Sequence, residues 1–158
     1  MTFALVVSAY HEFVTARLEA GARAALRESG VPDADVATFG VPGAFELAQA
    51  ARHLADTGAW SGIVCLGCLI KGETPHFDYI ARAAADGIMR AAQQTGVPVT
   101  FGVLTTNTAE EAMARAGDGA TNKGREAALA AFAMAVLYAR TAHEDVSGRR
   151  PGGPGDHE

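Results

Sequence analysis

The stretch Ser61–Ile80, SGIVCLGCLIKGETPHFDYI, constrains this chain more than any other. From Gly62 to Ile70 it is almost wholly apolar, yet far shorter than the roughly 20 residues of a membrane-spanning helix. A short apolar run of this kind, rich in Ile, Val and Leu, predicts a strand buried on both faces, as in a parallel sheet. Polarity then changes abruptly at Lys71-Gly72-Glu73-Thr74-Pro75-His76. Thr74 is predicted to cap a helix, with Pro75 at its first position, where no amide donor is needed. Beyond it Ile80, Ala84, Ile88, Ala91 and Ala92 recur at helical spacing. The reading is strand, polar loop, helix.

The same pattern recurs along the chain. Phe3–Val7, Val36–Val41 and Val97–Leu104 predict three more strands. Helices are predicted from Phe13 to Ser29, from Pro42 to near Gly58, from Thr108 to Ala116 and from Asn122 to about Thr141. In the last of these, Leu129, Phe132, Ala133, Val136 and Leu137 are expected on one inward side. Alternating strands and helices imply right-handed crossovers and an α/β fold, a three-layer α/β/α sandwich around a four-stranded parallel sheet. Residues 1–142 are expected to form one domain. The Gly/Pro-rich residues 143–158 are expected to be a disordered tail.

Composition excludes several roles. The net charge of −5 leaves no basic footprint for nucleic acid, and no run is long enough to span a membrane. The opening Met1-Thr2-Phe3 enters a strand at once, without a charged leader, so a cytoplasmic location is expected. The only cysteines, Cys65 and Cys68, lie in the central strand, where a three-residue offset points them to opposite faces. They read as reduced thiols used as small apolar residues, with Cys68 near enough to the polar end to line a site. No second pair offers zinc spacing, so no metal is expected.

The polar segments all follow strands: Tyr10-His11, Pro42 to Glu46, Lys71 to His76, and Thr105-Thr106-Asn107. In a parallel sheet such loops share the carboxyl edge, where ligands bind. Amides at the start of the helix after Thr74 would favour an anion such as a phosphate. His76 lies in that first turn, and imidazole is the side chain best suited to exchanging protons near neutral pH. Taken alone, the strand–loop–helix is better explained by a capped turn with a surface histidine.

Four motifs change that balance. VPGAFEL (Val41–Leu47), LIKGETPHFDY (Leu69–Tyr79), FGVLTTN (Phe101–Asn107) and RAG with NKG (Arg115–Gly117, Asn122–Gly124) resemble those of the lumazine synthase family, in its order and spacing. The resemblance covers roughly residues 3–140; the GET-x-H block together with VPGAFE is its specific part. It implies a flavodoxin-like fold and the penultimate step of riboflavin biosynthesis. In that step 5-amino-6-(D-ribitylamino)uracil condenses with 3,4-dihydroxy-2-butanone 4-phosphate, releasing phosphate and water, without a cofactor. It also implies a homo-oligomer, a pentamer or an assembly of pentamers (a decamer or a sixty-subunit shell), with sites between adjacent subunits.

Carried over residue by residue, the resemblance makes Tyr10 the ring that stacks on the pyrimidine. His11 and Glu46 would meet the ribityl chain, and Gly43, Ala44 and Phe45 would line its path. Cys68, Leu69 and Ile70 would border the pyrimidine edge. Gly72, Glu73 and Thr74 would hold the phosphate, with Arg115 as its bidentate cation. Phe101 would add an apolar wall and Lys123 would lie near the pyrimidine carbonyl. Phe101, Arg115 and Lys123 would come from the neighbouring subunit. His76 would be catalytic, moving protons during imine formation and before phosphate leaves. The chain departs from the family pattern at Tyr10, where Trp or Phe is usual, at His11, where Asn is common, and at Ala48, which replaces a frequent proline. The other readings are a lumazine- or flavin-binding protein without turnover and a shell whose assembly is its function. A nucleotide-binding module is disfavoured, because no glycine-rich loop follows the first strand.

Overall fold

Four apolar runs pair into one sheet in the computed structural model, which describes residues 1–147, with side-chain surroundings as far as residue 142. The strands are β1 (Phe3–Ser8), β2 (Val36–Val41), β3 (Gly62–Ile70) and β4 (Val99–Thr106). All are parallel, in the order β2-β1-β3-β4, with Phe3 level with Val36 and Gly62, and Ile63 level with Val99. β1 and β3 are central and therefore buried along nearly their whole length; of the edges, β2 alternates in exposure, while β4 is half-buried at Val99–Phe101 and mostly buried from Gly102 on.

The helices are α1 (Glu12–Glu28), α2 (Leu47–Asp56), α3 (His76–Thr95), α4 (Ala109–Ala114) and α5 (Lys123–Ser147), with 3₁₀ turns at Asp33–Asp35 and Ala44–Glu46. On one side of the sheet α1 and α5 pack Val14, Leu18, Ala128 and Ala131 onto Phe3, Leu5, Val64 and Leu66. On the other side α2 and α3 pack Leu47, Ala51 and Ile88 onto Ala4, Val6, Ile63 and Cys65. The three layers and the parallel sheet are those the sequence predicts. Cys65 and Cys68 do fall in different layers, and burial pushes their thiols up to about 12 and about 11.

Three details differ from expectation, each for a local reason. Pro75, not Thr74, caps α3: its carbonyl takes the first helical bonds, from Asp78 and Tyr79, and no side chain caps the helix. A proline disfavours helical geometry in the residue before it, so Thr74 stays in the loop with an uncommitted hydroxyl. β4 runs on to Thr106, because Leu69 and Ile70 of β3 pair with Thr105 and Thr106. The third concerns α5. It buries Ala127, Ala128, Ala131 and Ala135, while Leu129, Val136 and Leu137 of the predicted inward stripe are 37–40% exposed. Ala133 is exposed with them, and only Phe132 turns inward, against Phe3. The cause is the closeness of α1. A Cβ on Gly124 would stand 2.0 Å from the Leu18 carbonyl oxygen, and one on Gly21 would collide with Asn122. Only small residues fit against a helix so near. α5 also continues to Ser147, past the predicted end near Thr141, and residues 148–158 of the expected tail lie outside the described residues.

Candidate active site

The carboxyl ends of β1, β2 and β3 open into one cleft of about 720 Å³. Its first wall is the turn after β1. Ala9 and Tyr10 donate backbone hydrogen bonds to the Val41 and Pro42 carbonyls, at 2.8 and 3.2 Å, which holds Tyr10 above the Pro42-Gly43 segment. The Tyr10 ring is 67% exposed and lines the cleft together with His11. His11 caps α1 in left-handed backbone geometry, φ 60°, and burial draws its imidazole below the ordinary value near 6.5.

The second wall is the 3₁₀ turn Ala44–Glu46 with Gly43 before it. A Cβ on Gly43 would lie 3.3 Å from Glu46 Oε2, so the carboxylate rests against the glycine at the cleft wall. Among the described residues no basic group comes within ion-pair distance of it. Its oxygens are available to accept from hydroxyl groups.

The floor and third wall belong to β3 and α3. Cys68, Leu69 and Ile70 end the strand in the cleft, and Lys71 then leaves the sheet with its amide donating to the Thr106 carbonyl at 2.8 Å. Gly72, Thr74 and His76 follow along the rim. The loop amides of Gly72, Glu73 and Thr74 have no backbone acceptor among the described residues, so they remain as donors at the positive end of α3. Glu73 itself is exposed and does not line the cleft. Two cleft residues were not expected as site residues: Phe77 and Ile80, on α3. The LIKGETPHFDY motif contained the first, and helical periodicity assigned the second to the core.

Phe101, Arg115 and Lys123 are elsewhere, along the β4 edge. Phe101 and Lys123 border a groove of about 290 Å³ with Met89, and Arg115 and Lys123 border another of about 360 Å³ with Thr105. Glu126, unmarked by any sequence signal used above, lines both grooves and holds Lys123 Nζ at 3.1 Å. The NKG motif explains how this edge is built. Asn122 accepts from the Arg125 amide and donates to the Arg17 and Gly117 carbonyls, while Gly124 permits the close approach to Leu18. The Lys123 amide then donates to the Arg115 carbonyl at 2.8 Å, fixing the two cations relative to each other. The Arg115 guanidinium meets only its own helix, at the Glu111 carbonyl (3.3 Å), and no carboxylate lies within ion-pair reach among the described residues.

The single chain therefore carries two separate constellations. One joins an aromatic face, a carboxylate, unpaired amides and an imidazole; the other joins a phenyl ring and two cations. Among the described residues no group of three or more His, Cys, Asp or Glu could hold a metal ion, and no helix is long and apolar enough to cross a membrane.

Comparison with known proteins gives a consistent result. The family model described as 6,7-dimethyl-8-ribityllumazine synthase matches residues 1–139. A protein of that name from Syntrophus aciditrophicus (strain SB) is 45% identical over 137 residues, covering 87% of this chain and 89% of the relative. Another, from Chlorobium phaeovibrioides (strain DSM 265 / 1930), is 47% identical over 135 residues, covering 85% and 87%. With a family match over residues 1–139 and relatives of that name 45–47% identical over most of its length, the chain, with its parallel sheet and its cleft, belongs to the 6,7-dimethyl-8-ribityllumazine synthase family.

Proposed function

We propose that this chain is a lumazine synthase transferase. It condenses 5-amino-6-(D-ribitylamino)uracil with 3,4-dihydroxy-2-butanone 4-phosphate, in the cytoplasm and without a metal or organic cofactor. The observation that carries the reading is the meeting, in one cleft, of four residues from three separate segments: Tyr10 after β1, Glu46 after β2, and Thr74 and His76 after β3.

In this reading the pyrimidine stacks on Tyr10, its edge lies along Cys68, Leu69 and Ile70, and Gly43, Ala44 and Phe45 border the ribityl chain. Glu46 accepts hydrogen bonds from the ribityl hydroxyls. The phosphate rests on the amides of Gly72, Glu73 and Thr74 and on the free Thr74 hydroxyl. Glu73 contributes its backbone, with the carboxylate turned to solvent. The uracil's amine attacks the ketone; water leaves as the imine forms, and His76 relays the protons. His76 then accepts the proton whose loss lets the C–O bond to phosphate break, the electron pair departing with the phosphate. Acid–base help of this kind supplies about 10²–10⁴-fold. Holding two substrates together supplies much of the remainder.

A second copy completes the site. Arg115, exposed, and Lys123 and Phe101, half-buried, lie along the β4 edge, and a ring of copies, a pentamer, would bring that edge against a neighbour's cleft. Exposed Leu129, Val136, Leu137 and Tyr138 on α5 fit an associating surface. Purified protein given both substrates should produce the absorbance and green fluorescence of the lumazine, with light scattering giving a multiple of five subunits. Tight lumazine binding with no product from the two substrates would overturn the catalytic assignment.

A further inference from the structure

His11 is the only residue other than glycine with positive φ among the described residues. Its φ of 60° and ψ of 49° form left-handed geometry that side chains with a Cβ avoid, and histidine is among the types that tolerate it best. The chain pins it from both sides. Before it, Ala9 and Tyr10 are tied to Val41 and Pro42; after it, the His11 carbonyl accepts from Val14 at 2.9 Å and Thr15 at 3.1 Å. Strain held in place this firmly at a cleft points to a use for the conformation.

The conformation turns the imidazole back on its neighbour. His11 and Tyr10 meet edge to face, with ring centroids 4.5 Å apart at 66°. Phe13 also meets His11 edge to face, 6.0 Å away at 89°. Tyr10 and Phe13 are 67% and 51% exposed, and His11, in contact with both rings, is less exposed than either. No other aromatic ring among the described residues contacts Tyr10, and its hydroxyl has no partner there. We infer that His11 is a positioning residue: its left-handed backbone and its ring hold Tyr10 as a fixed platform for a flat heterocycle, in place of the direct ribityl contact expected from the resemblance. This rests on the proposed function, in which Tyr10 stacks on the pyrimidine. The lowered imidazole pKa agrees with a neutral ring in an aromatic contact.

The test uses His11→Gly and His11→Asn, both compatible with positive φ, in the parent and in a Tyr10→Ala background. Aromatic pairs of this geometry are worth about 2- to 12-fold in an equilibrium constant. Both variants should raise KM for the pyrimidine by about that factor, with a smaller change in kcat and none in KM for the phosphorylated substrate. In Tyr10→Ala the same substitutions should add nothing. Losses that multiply in the double variants would mean that His11 contacts substrate directly, and parental KM in His11→Asn would mean that only the backbone matters; either overturns the inference. A parent protein that makes no lumazine would sink the functional reading but not this measurement. The His11 ring-proton chemical shifts should still move on Tyr10→Ala, and unmoved shifts would overturn the ring pairing.

Discussion

The two constellations are built in opposite ways. The cleft collects residues from three strand ends and a helix start, so its parts explain one another even in a single chain. The β4 edge presents Phe101, Arg115 and Lys123 along grooves where Phe101 packs on the core and Lys123 meets Glu126, but the Arg115 guanidinium finds no carboxylate among the described residues. Its precision is in the backbone instead: Asn122 caps α5, Gly124 lies against Leu18, and Lys123 is tied to Arg115. Such rigid support for an exposed arginine and a half-buried lysine makes sense if their target belongs to another molecule. Function here is divided between a half that can be read within one chain and a half that cannot.

The largest effect should come from the cleft. His76→Ala should lower kcat by about 10²–10⁴-fold and leave measurable turnover, read as lumazine formation at saturating substrates. A variant as fast as the parent would remove His76 from the mechanism. On the other face, Arg115→Ala loses a charge-assisted contact worth about 1.5–3 kcal/mol, roughly 10- to 150-fold, expressed mainly in KM for the phosphorylated substrate. An unchanged KM would leave the β4 edge without a part in anion binding.

The support of that edge can be broken separately. Gly124→Ala places a methyl group against the Leu18 backbone and should cost about 1–3 kcal/mol in unfolding free energy, measured by denaturant titration. Any loss of activity should follow the anion-binding half first; an Ala variant of parental stability would contradict the close α1–α5 crossing.

The smallest effect is a pH dependence at the cleft. Burial depresses the folded His11 pKa below 6.5, so the unfolded chain takes up its proton first on acidification. Stability from this residue is therefore present above pH 6.5 and falls as the pH drops from there to the folded value. His11→Asn should flatten that part of a Tm–pH profile, and a profile identical to the parent's would show that His11 does not contribute.

The strands and the cleft were legible because runs such as Gly62–Ile70 are short, rich in branched residues and alternate with helical patterns, and loops after parallel strands share an edge. What the sequence hid depended on partners. On α5 two apolar stripes compete, and only the approach of α1 at Gly124 and Gly21 selects the alanines as the buried one. Thr74 has the chemistry of a cap, but the following proline takes that place. Helical spacing already puts Glu126 beside Lys123, three residues before it; what the sequence did not show was that Glu126 lines both grooves. The left-handed turn at His11 has no sequence signal as clear as a glycine, and the two-faced layout of the cations could be expected only from the family resemblance.

Mixing two crippled chains tests the division of labour most directly. His76→Ala and Arg115→Ala are co-expressed with different tags, and hetero-oligomers are isolated and assayed for lumazine with the phosphorylated substrate well below its parental KM, where both variants are slow. If each site joins one chain's cleft to its neighbour's β4 edge, about a quarter of the interfaces in a one-to-one random mixture hold two intact halves. Activity should then rise far above that of either variant, towards a quarter of the parent's. Activity equal to the average of the two separate variants would mean that both residues serve the same chain's site, and the account would be wrong.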